Sequence, residues 1–279
     1  MSPKVSIMSF NIRFDNPNEA DDDKWEKRRT TCSDIINKYK PALIGLQEPH
    51  KHQVEQIAEM CPNYSWFGTG RYIQIFGLNA EHNELNPVLF DKTVLTLEAS
   101  GTFWYSDTPI VPMTKWPCSA FPRIATWGRF SVNATGERLC FINTHFDHES
   151  EEARTKAADL LLAILPEVTQ GLPTAICATP ALKTLKSSLM ECSTAGCATL
   201  PGLLGKCATF VGFDKTIDSE IDFIFTCQGL KPSGYGTIPD ECPNGRCCSD
   251  HRPIMAEVEF VAGGVPLPGR ADAPVVTLT

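Results

Sequence analysis

The sequence predicts an α/β sandwich. Three observations carry this: short apolar runs with the two-residue period of strands, two stretches with helical period, and glycine- and proline-rich breaks between them, with no GxGxxG or Walker loop to mark a doubly wound sheet. The chain has 279 residues, of which 42% are hydrophobic and 21% charged, so it can bury a full core without a disulfide or metal staple.

In chain order, Val5, Ile7 and Ser9 alternate with Ser6, Met8 and Phe10, a strand period. Cys32, Ile35, Ile36 and Tyr39 recur at helical spacing and predict an amphipathic helix over 26–39, closed by Pro41. Ala42–Leu46 is a continuous apolar run that suits a buried strand and ends in Gln47-Glu48. Arg138–His145 reads as a strand, and the helix after it carries its apolar face on Ala157, Leu160, Leu161, Ile164 and Leu165. Pro173–Cys177, Ile221–Cys227 and Ile254–Phe260 complete the strands; in the last, Ile254, Ala256, Val258 and Phe260 face inward and Glu257 and Glu259 outward. There is no repeat and no internal linker. A single domain over 1–260 is expected, followed by a loose Pro/Gly-rich tail over 261–279.

The net charge of −8 argues against nucleic acid and anionic membranes as partners, because polyanion capture rests on a basic surface. It leaves room for a small phosphorylated substrate held by a few local cations. The start, MSPKVSIMSFNIRFD, has no apolar leader and no run reaches the length of a membrane span, so a cytoplasmic location is expected. Twelve scattered cysteines then read as buried small hydrophobes; Cys242, Cys247 and Cys248 could start a soft-metal site, but no second CxxC or histidine cluster completes it.

The informative pattern is polar residues placed where apolar strands end. Asn11 follows the first strand and Glu48 the second; His145, Asp147 and His148 close NTHFDH; Asp222 lies inside an apolar strand; Asp250-His251 precedes the last one. Carboxylates on the rim of a sandwich suit a hard cation, and a histidine paired with an aspartate can orient and deprotonate water. Together they form a kit for metal-assisted phosphoester hydrolysis.

The strings SFNIRFD, WEKRR, PALIGLQE, GTGRY, NPVLF, TFWYSDTP, FPRIATWGRF, NTHFDH, EIDFIF and SDHRPI occur in this order from about Val5 to Phe260. In this the chain resembles the endonuclease/exonuclease/phosphatase family, and most closely the branch with FWxSxTP, PRxATW and NTHxDH. The resemblance implies a four-layer sandwich of two packed, mainly antiparallel β-sheets flanked by helices (DNase-I-like), with the site at one edge. It implies Glu48 as principal ligand of a Mg2+ or Mn2+ ion, assisted by Asp250; Asn11 near the metal-bound phosphate; His145 on the scissile phosphate; and His251 as general base oriented by Asp222. Arg71, Tyr72, Asn86, Arg123, Trp127 and Asp147 would bind substrate.

One motif departs from the resemblance. Where the family carries GDFN at the end of a strand, this chain runs from Pro173–Cys177 into Ala178-Thr179-Pro180-Ala181, which places Thr179 at the aspartate and Ala181 at the asparagine; a one-residue shift would place Ala178 and Pro180 there. Neither register restores a carboxylate or an amide. Loss of acid–base help costs on the order of 10²–10⁴ in rate. Hydrolysis of phosphodiesters is therefore expected to be impaired and any metal held weakly or not at all. The retained polar set favours acid–base chemistry on a small organic or phosphorylated molecule, such as cyclisation, elimination or isomerisation, with aromatic walls from Trp104, Tyr105 and Trp127. The alternatives are a non-catalytic pseudoenzyme that binds a phosphorylated ligand or a protein, and a residual Mg2+-dependent phosphoesterase. Asp214 and Asp218 lie nearby in sequence and could substitute, but nothing in their spacing supports it.

Overall fold

The computed structural model describes residues 3–73, 83–180, 183–227 and 229–261. The tail expected over 261–279 lies, beyond Val261, outside the described residues. Two mixed sheets pack face to face. The first holds β1 (Lys4–Asn11), β2 (Leu43–Gln47), β3 (Tyr64–Phe67), β4 (Val88–Asp91), β10 (Ala198–Thr199), β12 (Leu230–Thr237) and β13 (Ile254–Phe260), in the order β10-β12-β13-β1-β2-β4-β3. The second holds β5 (Leu95–Trp104), β6 (Ile124–Val132), β7 (Arg138–His145), β8 (Thr174–Thr179), β9 (Met190–Glu191) and β11 (Phe223–Cys227), in the order β5-β6-β7-β8-β11-β9. Most neighbours are antiparallel, and the parallel pairs include β1 with β2 and β7 with β8.

Helices α1 (Trp25–Tyr39) and α2 (Lys51–Met60) cover the outer face of the first sheet, and α3 (Glu151–Thr169) and the short α4 (Lys183–Ser188) that of the second. Helix α1 buries Trp25, Arg28, Cys32, Ile35 and Ile36, the stripe that a 3.6-residue period dictates. Ser150 caps the start of α3, its side chain accepting from the Ala153 amide.

Three buried clusters fill the spaces between the four layers. Val5, Ile7, Phe130, Phe141, Ile254 and Val258 interdigitate between the sheets. Met8, Phe10, Ile36 and Ile57 lie under α1 and α2, and Ile142, Leu161, Leu165 and Phe225 under α3. Strand β1 therefore contributes apolar residues to both faces, which explains its near-continuous apolar sequence.

Two of the boundaries that differ from expectation bear on the site. Strand β8 runs two residues further than Cys177, carrying Thr179 to the sheet's rim in register with His145. Strand β11 begins at Phe223, so Asp222 stands just before the strand rather than inside it. All twelve cysteines are free thiols; eight, including Cys32, Cys177 and Cys248, are buried.

Candidate active site

The carboxyl ends of β1, β2, β7 and β8 meet at one edge of the sandwich. Because each parallel pair points two strand ends the same way, Asn11, Glu48, His145 and Thr179 are delivered together. Asn143, buried between the sheets, ties these pairs across the gap: its Nδ2 donates to Leu46 O at 2.7 Å and Pro87 O at 2.9 Å, and its Oδ1 accepts from Gln47 Nε2 at 2.7 Å. The chain leaves β1 and β2 through residues of positive φ, Arg13 at 57° and Glu48 at 70°. A left-handed backbone costs a non-glycine residue of order 1–3 kcal/mol, and here it turns both side chains into the cleft.

The cleft has a volume of about 720 Å3. On one side, Glu48 Oε1 accepts from Asn11 Nδ2 at 2.9 Å and faces His145 Nε2 at 3.4 Å, while Glu48 Oε2 is buried without a hydrogen-bond partner. Arg13 Nη1 stands 3.8 Å from Glu48 Oε2 and 3.6 Å from Asp250 Oδ2. Burial would raise Glu48, but the hydrogen bond with His145 and the charges of His251 and Arg13 hold its carboxyl far below the usual carboxylate range. Asp250 goes the other way: burial and the charge of Glu48 push it up against the pull of His251.

His251 Nδ1 donates to Asp222 Oδ2 at 2.8 Å, and its Nε2 lies 3.5 Å from Asn11 Nδ2. Burial opposes a charged imidazole, yet the carboxylates of Asp222, Asp250 and Glu48 outweigh it and raise His251 to about 9. Asp222 is lowered against its own burial by the charge and hydrogen bond of His251. Thr179 contributes to that lowering, although neither its hydroxyl nor Asp222 Oδ1 has a fully formed hydrogen bond.

Opposite this pair, His145 Nδ1 is 2.7 Å from Arg123 Nη1 and 2.9 Å from Phe146 O. A guanidinium only donates, and the charge-assisted bond is the stronger, so Nδ1 accepts and the ring proton sits on Nε2, toward Glu48. Burial and the neighbouring Arg123 charge lower His145 and keep it neutral. Arg123 also reaches His148 Nδ1 at 2.7 Å.

Not all expected site residues reach the cleft. Glu48, Arg71, Arg123, His145, Asp250 and His251 line it, with Asn11 and Asp222 directly behind. Asn86 sits behind Arg71 and Arg123 and donates to Ile124 O at 3.0 Å. Tyr72 is half-buried beside Arg71 but is not part of the wall. Asp147, expected to bind substrate, instead accepts from the backbone amides of Ala120, Glu149 and Ser150 and shapes the loop before α3. Trp127 points to the α3 layer and packs under Arg129, while Trp104 and Tyr105 are in the core. The aromatic walls are Phe14, Phe121 and Phe210. Asp214 and Asp218 are exposed and away from the cleft. Sequence reasoning also missed Arg13, Glu84 and Arg154. Arg13 and Phe121 stand inside recognised strings, whereas Glu84, which takes both Arg71 nitrogens at 2.8 and 2.9 Å, has no sequence signal.

The cleft wall thus carries four arginines, Arg13, Arg71, Arg123 and Arg154, against Glu48, Glu84, Glu151 and Asp250, in a chain of net charge −8. The model for the endonuclease/exonuclease/phosphatase family matches residues 8–251. The chain belongs to this family. Among solved structures, a family member from Bacteroides vulgatus is 28% identical with a TM-score of 0.81, covering 92% of this chain and 99% of its own. A mannosyl-6-phosphatase from Bacteroides thetaiotaomicron is 25% identical with a TM-score of 0.77, covering 92% of this chain and 100% of its own. An uncharacterised protein of Acanthamoeba polyphaga mimivirus is 30% identical over 151 residues, 52% of this chain. The match spans about half the length of that relative, 53%.

Enzymes of this family typically use a divalent metal. The residues here fit one through two carboxylates: Glu48 Oε2 is buried without a partner, and Asp250 faces it across the Arg13 guanidinium. Among the described residues no group of three or more His, Cys, Asp or Glu side chains forms a metal-binding cluster. Mg2+ does not require one, since water and phosphate oxygens complete its shell. No helix among the described residues is long and apolar enough to cross a membrane.

Proposed function

We propose that this protein is a diverged family member that binds a small phosphorylated molecule and acts on it by acid–base chemistry, with ordinary phosphodiester hydrolysis impaired. The observation that carries the reading is the Asp222–His251 pair, 2.8 Å apart and opening into an arginine-lined cleft, beside a β8 terminus that presents Thr179 instead of a carboxylate. A binder needs no buried, oriented Asp-His pair. A family hydrolase needs more than Thr179 and Pro180 supply, since one hydroxyl is a poor acid and proline has no amide to donate. Ala181 lies outside the described residues.

The geometry supports the following roles. The Arg71 and Arg123 guanidinium groups, each with its Nε left without a hydrogen-bond partner, would receive the phosphate. His145, neutral with its proton on Nε2, donates toward the cleft. His251, raised to about 9 by the carboxylates of Asp222, Asp250 and Glu48, is a donor at neutral pH; it becomes an acceptor where that carboxylate charge is offset. A divalent cation on Glu48 and Asp250 would polarise a phosphoryl oxygen. The mannosyl-6-phosphatase among the structural neighbours makes sugar phosphates the first substrate class to assay.

The test compares wild type, Thr179→Asp and His251→Ala with Mg2+ or Mn2+ on bis(p-nitrophenyl) phosphate, p-nitrophenyl phosphate and mannose 6-phosphate. Wild type should turn over the diester slowly, and Thr179→Asp should raise that rate by up to about 10²–10⁴. Rapid diester hydrolysis by wild type with no gain in the variant refutes the reading. Turnover untouched by His251→Ala refutes the assigned acid–base role.

A further inference from the structure

Outside the cleft, Arg28 on α1, 1% exposed, is the largest fully buried charged side chain among the described residues. Its guanidinium donates its hydrogen bonds to main-chain carbonyls: Nε to Asp23 O at 2.6 Å, Nη1 to Ile12 O at 2.8 Å and Cys248 O at 2.7 Å, and Nη2 to Arg13 O at 3.4 Å. The rings of Trp25 and Phe213 lie 5.4 and 5.1 Å from its Cζ. A buried cation normally pairs with a carboxylate; this one is spent on backbone.

Which backbone it holds is the point. Ile12 and Arg13 follow Asn11 at the end of β1, and Cys248 stands two residues before Asp250. Residues 12 and 248 are far apart in sequence, and a single nitrogen, Nη1, bridges them. A second tie joins the same two segments: Ser249 Oγ donates to Asn11 O at 2.7 Å. Downstream of both ties, Arg13 Nη1 spans Glu48 and Asp250 at 3.8 and 3.6 Å. If the two segments separate, that gap opens. A planar five-donor fork fixes distance and angle together, which neither lysine nor water can do.

We propose that Arg28 is a positioning residue that holds the Asn11–Arg13 and Cys248–His251 segments at the separation the candidate active site requires. The inference rests on the reading that this cleft is the working site.

The experiment uses the full chain with Arg28→Met, Arg28→Lys and Ser249→Ala, titrating Mn2+ alone and inorganic phosphate by calorimetry and recording Tm alongside. Arg28→Met should weaken Mn2+ binding about 10–100-fold, as loss of a supporting residue behind ligands does. Arg28→Lys should recover part of it, and Ser249→Ala should weaken it several-fold with little change in Tm. Wild-type affinities in Arg28→Met and Ser249→Ala, whatever their Tm, overturn the proposal. Should Arg28→Met fail to fold, the other two variants decide by the same criterion. Should wild type itself bind neither probe, the proposed function fails instead. The positioning role is then decided by the downfield NMR resonance of the His251 Nδ1 proton on Asp222: displacement in Arg28→Lys supports it, and an unmoved signal overturns it.

Discussion

Replacing Asn143 by alanine should cost about 3 kcal/mol of stability and loosen the cleft at once. The side chain makes three hydrogen bonds, to Leu46 O, Pro87 O and Gln47 Nε2, and is fully buried between the sheets. Each is worth about 1 kcal/mol net, with more lost wherever a partner is left dry. Gln47 Nε2 keeps Ser9 Oγ at 3.2 Å and Gly45 O at 3.1 Å, and Pro87 O keeps the Leu46 amide, so the loss stays near the sum of the three. Gly45 provides an internal control. A Cβ built there falls 2.5 Å from Asn143 Oδ1, so Gly45→Ala must displace the amide. With Asn143 already truncated, that clash is gone. The two substitutions should therefore be strongly non-additive, with a coupling of about 1–3 kcal/mol, the double variant being more stable than the sum predicts. Urea unfolding at 25 °C followed by tryptophan fluorescence measures all four corners. A loss below about 1 kcal/mol for Asn143→Ala, or an additive cycle, would refute the claim that this amide joins the sheets.

Asp240 supplies a pH test. Burial raises its carboxyl to about 6 despite Arg252, above the ordinary 3.8, so the native state binds the extra proton between those values. Its contribution to stability is complete below pH 3.8 and is lost as pH rises to about 6, a difference of about 3 kcal/mol at most. Asp240→Asn should flatten Tm against pH across that window, and an unchanged slope would remove Asp240 as its source. Glu84→Gln should free the Arg71 guanidinium for ligand by removing its buried counter-charge, tightening inorganic phosphate about fivefold, or about 1 kcal/mol, at low salt; weaker binding in calorimetry would show that the ion pair itself shapes the anion site.

Much of this architecture was legible in the sequence because burial on defined faces imposes a period. Strands β1, β7 and β13 and helix α1 show it within a residue or so of their ends. Glu48, His145, Asp250 and His251 were legible for a different reason: a charge where an apolar strand stops has few structural uses. Trp127 was misplaced because a two-residue period says that a residue faces one side of a strand, not which layer lies on that side. Asp147 carries the right chemistry, but three loop amides claim its oxygens. Glu84 and Arg154 left no trace because their positions follow from tertiary packing, and no local pattern encodes a partner thirteen residues away or on another layer.

Strand β1 pairs antiparallel with β13, Ser9 opposite Ile254, so the first and last strands of the domain are neighbours in the middle of one sheet. Asn11 and His251, 240 residues apart, become neighbours only when that pairing forms. During synthesis at about 5–20 residues per second, the amino-terminal strand must wait on the order of 10–50 seconds for its partner to be made. A chain that stops before Ile254 holds every residue of the cleft wall, yet it lacks the strand that sets Asp250 and His251 beside Asn11, and β1 is left as an open edge.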